Sequence, residues 1–193
     1  AERLIMMTDI AGILRDRNDP DSLIPEMTVE EAQSLLHTGV ISGGNLVHGM
    51  MHPEAGHMLM VPREDDDYKG HCPSHGACFE GMASGPAIEE RWGKPAKELA
   101  DKTEVWELEA KYIAQALTDI LLTLSPQKII LGGGVMGQSQ LFPLVRKYVL
   151  EYVNDYIDTK QLRNINNFIT PAALNGNQGI MGAVKLAAMA AAE

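Results

Sequence analysis

The sequence predicts an α/β domain. Two short apolar runs, LIMMT (4–8) and KIIL ahead of three glycines (128–134), read as buried strands, and helical patterns of apolar residues alternate with them. Between them, residues 43–81 are rich in glycine, proline and histidine and show no sustained period, so something other than helix packing must order them.

In chain order, the strand LIMMT is followed by RDRNDPDSLIP (15–25), whose turn residues make it a loop. TVEEAQSLLHTG (28–39) reads as a helix. Thr28 and Glu31 form a capping box, and Gly39 stands just past the end. Helical signals return from FEGMASGPAIEERWG onward. The strongest segment is TEVWELEAKYIAQALTDILLTL (103–124), in which Val105, Leu108, Tyr112, Ala116, Leu117, Ile120, Leu121 and Leu124 recur at helical spacing and predict one apolar face. After the strand at 128–131 comes SQLFPLVRKYVLEYVNDYI (139–157), an amphipathic helix whose Pro143 trims the first turn. NGNQGIMGAVKLAAMAAA (175–192) closes the chain as a small-residue helix behind a glycine and asparagine turn. There is no internal repeat or low-complexity tract.

With 193 residues, 45% hydrophobic and 22% charged, the chain can bury a real core. The net charge of -10, with no lysine and arginine cluster, argues against nucleic acid and anionic membrane as partners. No apolar run reaches the roughly 18 residues of a spanning helix, and AERLIMMTDI lacks the order of a signal peptide, so the expected compartment is the cytoplasm. Two cysteines do not make a disulfide framework, and in a reducing compartment a close pair suits metal binding.

Residues 52–81 hold both cysteines and four of the six histidines. In HCPSHGAC, Cys72, His75 and Cys78 are each separated by two residues, and His57 precedes them across an acidic loop. Zinc takes four tetrahedral thiolate and imidazole ligands, and two-residue gaps let one tight turn aim neighbouring side chains at a single ion. His57, Cys72, His75 and Cys78 make such a set, with His71 and His52 competing for the fourth position. A structural Zn2+ would also give the loop-rich region a single shape.

HPEAGH, followed by CPSHGACFEGMASGPAIEERWG, then VWELEAKYIAQAL, KIILGGGVM and GNQGIMGA, resembles the ROK family of bacterial sugar kinases, and within it the fructokinases, over about residues 39–193. The resemblance implies the C-terminal half of an actin-like, ribonuclease-H-like ATPase fold carrying a loop-rich zinc-binding insertion. It implies sugar in a cleft and ATP with Mg2+ on the C-terminal domain, and a homodimer. By the same resemblance Glu54, His57 and Glu80 hydrogen-bond sugar hydroxyls, which agrees with the acceptor-only chemistry of a carboxylate. Gly132, Gly133 and Gly134, together with Gly176 and Asn177, correspond to the nucleotide site, where missing side chains let backbone approach adenosine or phosphate.

The same family carries a DxGGT-type phosphate loop and a catalytic aspartate in an Asp-x-Asn context, and neither is present. Asp19 in NDPD lies in the wrong neighbourhood, so no residue is assigned as catalytic base. Residues 1–44 instead resemble the acetylglutamate kinases of the amino-acid kinase fold, with Thr8, Asp9 and Gly12 matching a nucleotide-proximal strand end. GVISGG (39–44) suits both families, so the expected organisation is a fused segment 1–44 and a ROK-like domain 45–193 with its metal motif at 52–81. The implied reaction is phosphorylation of fructose to fructose 6-phosphate by ATP, in a form lacking the base. Phosphoryl transfer to the carboxylate of an acetylglutamate-like substrate and a non-catalytic, zinc-ordered binding module are the alternatives.

Overall fold

The computed structural model describes residues 3–7, 39–42, 45–46, 50, 53–174, 177 and 181–182. The expected helix at 28–39 lies outside them except for Gly39, as do the loop at 15–25 and most of the closing helix, together with His52, Thr8, Asp9, Gly12 and Gly176.

A five-stranded sheet carries the domain. Its strands are β1 (Arg3–Met7), β2 (Gly39–Ser42), β3 (Asn45–Leu46), β4 (Lys128–Leu131) and β5 (Ile169–Pro171), in the spatial order β3-β2-β1-β4-β5. β1 runs antiparallel to β2 with Ile5 opposite Val40, and parallel to β4 with Ile5 opposite Ile129. β2 and β3 close an antiparallel pair, and β4 runs parallel to β5. Residues 4–7 of the first apolar run thus lie in the central strand. GVIS, assigned no element from the sequence, is a strand paired with β1, distant in sequence, on one side and with the neighbouring β3 on the other.

The helices follow from local signals. α1 (Phe79–Met82) is a single turn, and α2 (Gly85–Trp92) begins where the Ser84 hydroxyl accepts the Ala87 amide and ends at Gly93 in the left-handed region, φ 69°. α3 (Thr103–Leu124) has the predicted bounds and stops at Ser125, φ 45°. α4 (Leu141–Val153) holds Pro143 in its first turn, where no intrahelical amide is needed. Two single turns, α5 (Lys160–Arg163) and α6 (Ile165–Phe168), lead into β5. They and β5 carry too few residues to show a period.

α3 departs from the one-faced helix its pattern predicts. The predicted Val105, Tyr112, Ala116, Leu117, Ile120 and Leu121 are buried, but so are Trp106, Ala110, Ile113 and Ala114, while Leu108 and Leu124 are only half covered. α3 is therefore enclosed on more than one side, with α4 against it and α1 on another flank. Tyr148 of α4 donates to the Glu107 carboxylate of α3, and Trp106 Nε1 donates to the Leu99 carbonyl at 2.8 Å. Two polar side chains share this core. Thr118 is satisfied by the Ala114 carbonyl at 2.8 Å, whereas both carboxylate oxygens of Glu109 are buried without a hydrogen-bond partner.

Candidate metal centre and flanking carboxylates

The segment from Pro53 to Met82 is held by a few backbone bonds. The Glu54 carbonyl accepts the His57 amide at 2.9 Å and closes a 3-10 turn at Ala55–His57, which aims the His57 ring. Met60 N donates to Ala77 O at 2.9 Å and Phe79 N to Met58 O at 2.8 Å, which brings the two ends of the acidic loop together. Gly76 N returns to Cys72 O at 2.8 Å, forming the turn that the two-residue spacing predicts. Cys78 then caps α1, its sulfur accepting Gly81 N at 3.4 Å.

These turns gather His57, Cys72, His75 and Cys78, whose ligand atoms all lie within 4.8 Å of one another. Cys72 Sγ is 3.8 Å from His57 Nδ1 and 3.7 Å from His75 Nδ1, and Cys78 Sγ is 3.6 Å from His57 Nδ1. A tetrahedron with metal–sulfur and metal–nitrogen bonds of zinc length has sulfur–nitrogen edges of about 3.6 Å. The donor set is preformed at that size. Both sulfurs are buried and His75 is exposed. The Cys72 thiol is pushed down to about 7, first by hydrogen bonding from the His75 backbone amide, which favours the thiolate a metal needs; burial pushes the Cys78 thiol up.

Of the two competing histidines, His71 is placed elsewhere. Its Nδ1 lies 2.8 Å from Glu90 Oε2, which also accepts the Tyr68 hydroxyl at 2.8 Å. His52 lies outside the described residues.

The fold also brings together two of the sugar-contact candidates. His57 Nε2 is 3.6 Å from Glu80 Oε2, and Glu80 is well exposed. That separation exceeds a hydrogen bond, so both groups keep capacity for a third partner between them. Gly56 faces the same carboxylate; a Cβ there would lie 3.7 Å from Oε2. Glu54 is half-buried at the start of the His57 turn. Gly132, Gly133 and Gly134 follow β4, with Gly133 at φ 95°, a conformation side chains resist. Gly137 N donates to Gly134 O at 3.1 Å, and Asn177 is exposed with its carbonyl accepting Met181 N at 2.9 Å.

Sequence reasoning missed the brace behind the metal loop. The Arg91 guanidinium of α2 lies 3.2 Å from Asp66 Oδ2, their side chains only 7% and 6% exposed, and stacks over Tyr68 with Cζ 4.4 Å from the ring centre. Arg91 Nη1 also donates to Met82 O at 3.2 Å, so one side chain ties the acidic loop to the end of α1.

The sequence profile of the ROK family matches residues 36–190. The chain is 52% identical over 150 residues to the "Putative fructokinase" of Bacillus subtilis (strain 168), covering 77% of this chain and 50% of that protein. It is 42% identical over 149 residues to the fructokinase of Pediococcus pentosaceus, covering 77% and 51%. It thus spans about half the length of the curated relatives it matches. A further likeness, 57% over 44 residues, is to the acetylglutamate kinase of Synechococcus sp. (strain RCC307), covering 23% of this chain and 15% of that one. Among solved structures, the ROK hexokinase from Thermus thermophilus superposes with a TM-score of 0.63 at 19% identity, covering 94% of this chain and 55% of the other. The ROK family glucokinase from Streptomyces griseus in complex with glucose and AMPPNP gives 0.58 at 20%, covering 96% and 60%. At such identities these likenesses establish the actin-like ATPase fold alone.

Proposed function

Because the chain belongs to the ROK family, we propose that it is the sugar- and nucleotide-binding half of an ATP-dependent hexose kinase, with fructose as the sugar. The observation that carries this reading is the two-sided placement of His57. Its Nδ1 faces both cysteine sulfurs, and its Nε2 faces Glu80.

The donor set and its sulfur–nitrogen spacings fit zinc held by His57, Cys72, His75 and Cys78. Bound there, zinc would supply a rigid cross-link whose charge the two thiolates balance. With Nδ1 committed to the cluster, the His57 proton resides on Nε2, and the ring points a donor at Glu80. A sugar hydroxyl seated between them accepts from Nε2–H and donates to the Glu80 carboxylate, and Glu54 offers a second acceptor. Orientation of the hydroxyl is what such a pair contributes to phosphoryl transfer. Gly132, Gly133 and Gly134, with Gly176 and Asn177, form the nucleotide side, and Mg2+ accompanies the ATP phosphates. The fructokinases among the relatives support fructose as the hexose. Among the described residues no helix is long and apolar enough to cross a membrane. A cytoplasmic homodimer, with sugar and ATP as its small-molecule partners, completes the reading.

Turnover is a separate matter. No counterpart of the family's base aspartate is found in this sequence, so the chain is expected to bind sugar but to phosphorylate it slowly. Normal kinase rates in a coupled ADP-release assay with fructose would refute that. Glu80→Gln keeps size and loses the charged acceptor, and is expected to weaken fructose binding about tenfold in calorimetric titration while metal content is unchanged. Equal affinity for the two proteins would remove Glu80 from the sugar site.

The likeness to acetylglutamate kinases supports a second proposal, that residues 1–44 are a fused segment joined at GVISGG. Sequencing the source locus across codons 35–50 tests it, and an uninterrupted ROK N-terminal half upstream of Gly39 would defeat it.

A further inference from the structure

Glu109 is 1% exposed, and neither of its oxygens has a hydrogen-bond partner. A buried carboxylate in that state is costly, and the group escapes by keeping its proton. The charge that acts on it is Arg91. That guanidinium is ion-paired with Asp66, whose Oδ2 lies 3.2 Å from Nη2, and Nη1 donates to Met82 O, while Nε and Nη2 are buried without a hydrogen-bond partner. Two carboxyl groups therefore compete for one cation. Tyr112, one turn beyond Glu109 on α3, donates to Asp66 Oδ2 at 2.7 Å, and the guanidinium lies over its ring with Cζ 5.5 Å from the centre, so the loop and Arg91 both meet α3 one turn from Glu109.

The other ionisable groups nearby are engaged. On the loop, Arg63 pairs with Asp65 at 2.8 Å, and Tyr68 donates to Glu90 of α2. On α1, Glu80 faces His57, and on α4, Tyr148, with Lys147 beside it, serves Glu107. None of them neutralises Glu109.

We propose that Glu109 and Arg91 form a proton-dependent latch: while Glu109 holds its proton, Arg91 stays committed to Asp66 and clamps the loop 63–71 onto α2, and opening of the loop releases that proton to solvent. The inference goes beyond the sugar-kinase reading and stands whatever substrate is bound. Burial pushes the Glu109 carboxyl up to about 8 in the closed form, from an ordinary value of 4.5. Because the closed form binds the proton more tightly, its advantage is complete below the ordinary value, declines as pH rises, and levels off above about 8.

Hydrogen exchange of the Arg63 and His71 amides, which are bonded to Tyr112 Oη and Gly81 O, reads the latch directly. After correction for intrinsic exchange, protection in the unaltered chain is expected to fall between pH 6 and 8 by up to about tenfold per pH unit relative to Glu109→Gln. The paired comparison cancels every pH-dependent contribution that the two proteins share. Parallel profiles for the two proteins would overturn the latch. Carbon-13 NMR of glutamate-labelled unaltered protein is the second arm, needing no variant: one carboxyl must titrate near 8, and none above the usual range would sink the idea. Asp66→Asn frees Arg91 for Glu109 and must lower that midpoint; an unmoved midpoint would show that Arg91 is not shared.

Discussion

Cys78→Ser protein is expected to retain less than a tenth of the roughly one zinc per chain expected of the unaltered protein, and to be nicked by trypsin within the acidic loop, at Arg63 or Lys69. The substitution separates two roles of one residue. Cys78 is fully buried, offers its sulfur to the proposed metal and caps α1 by accepting Gly81 N. Serine is a good helix cap but not a zinc ligand, so the cap survives while the tetrahedron loses a corner. Structural zinc contributes on the order of 10 kcal/mol to folding in small finger peptides. Here the loss is expected to stay local, because most of the core, including Trp106, Leu117, Ile120, Ile129 and Val149, lies in α3, α4 and the sheet, and the metal-loop region adds only Met60, Phe79 and Met82 to it. The Arg91–Asp66 brace also holds part of the loop. The expected cost of opening the loop is therefore about 3 kcal/mol, a hundredfold or more in the rate of cleavage through the opened state. A chelator added to the unaltered protein must reproduce the pattern. Cleavage indifferent to both treatments would leave the cluster as four side chains that merely pack together.

What the sequence disclosed follows the range of the interactions. α3 was legible to the residue because a 22-residue apolar period needs no knowledge of its partners, and Cys72, His75 and Cys78 were legible because one turn joins them. His57 sits farther off, and spacing alone left His52 and His71 as rivals; what removes His71 is Glu90, nineteen residues away in sequence. β2, β3 and β5 owe their existence to pairing across the sheet, and short runs such as ITP have no period to detect. Glu109 and Arg91 look like solvated charges on amphipathic helices. The signal in hindsight was that Glu109 lies four residues after Val105 and three before Tyr112, on the very stripe predicted to be apolar. A charged residue on such a stripe is a question the pattern poses and only packing answers.

Packing also sets the second large effect, at a residue with no chemistry of its own. A Cβ built on Gly81 would lie 1.9 Å from Gly76 O and 3.1 Å from both Cys72 Cβ and Cys72 N. From the other side a Cβ on Gly70, φ 93°, would lie 2.0 Å from the same carbonyl. That carbonyl belongs to the turn in which Gly76 N closes on Cys72 O, and backbone atoms cannot yield as a flexible side-chain end does. Gly81→Ala must therefore push the turn off α1, carrying Cys72 and His75 away from Cys78 and His57. The expected cost is about 3 kcal/mol or more, the upper end for overpacking, with loss of metal although all four ligands remain. Gly85→Ala, four residues on, is the matched control. Nothing lies within 4 Å of a Cβ there, the position is the first of α2, and alanine suits a helix better than glycine. It should change thermal stability by less than about 1 kcal/mol and leave the zinc content intact. Should Gly81→Ala bind zinc and melt as Gly85→Ala does, the turn would be free to move independently of α1, and the geometry that aims His57 at Glu80 would have to be held by something else.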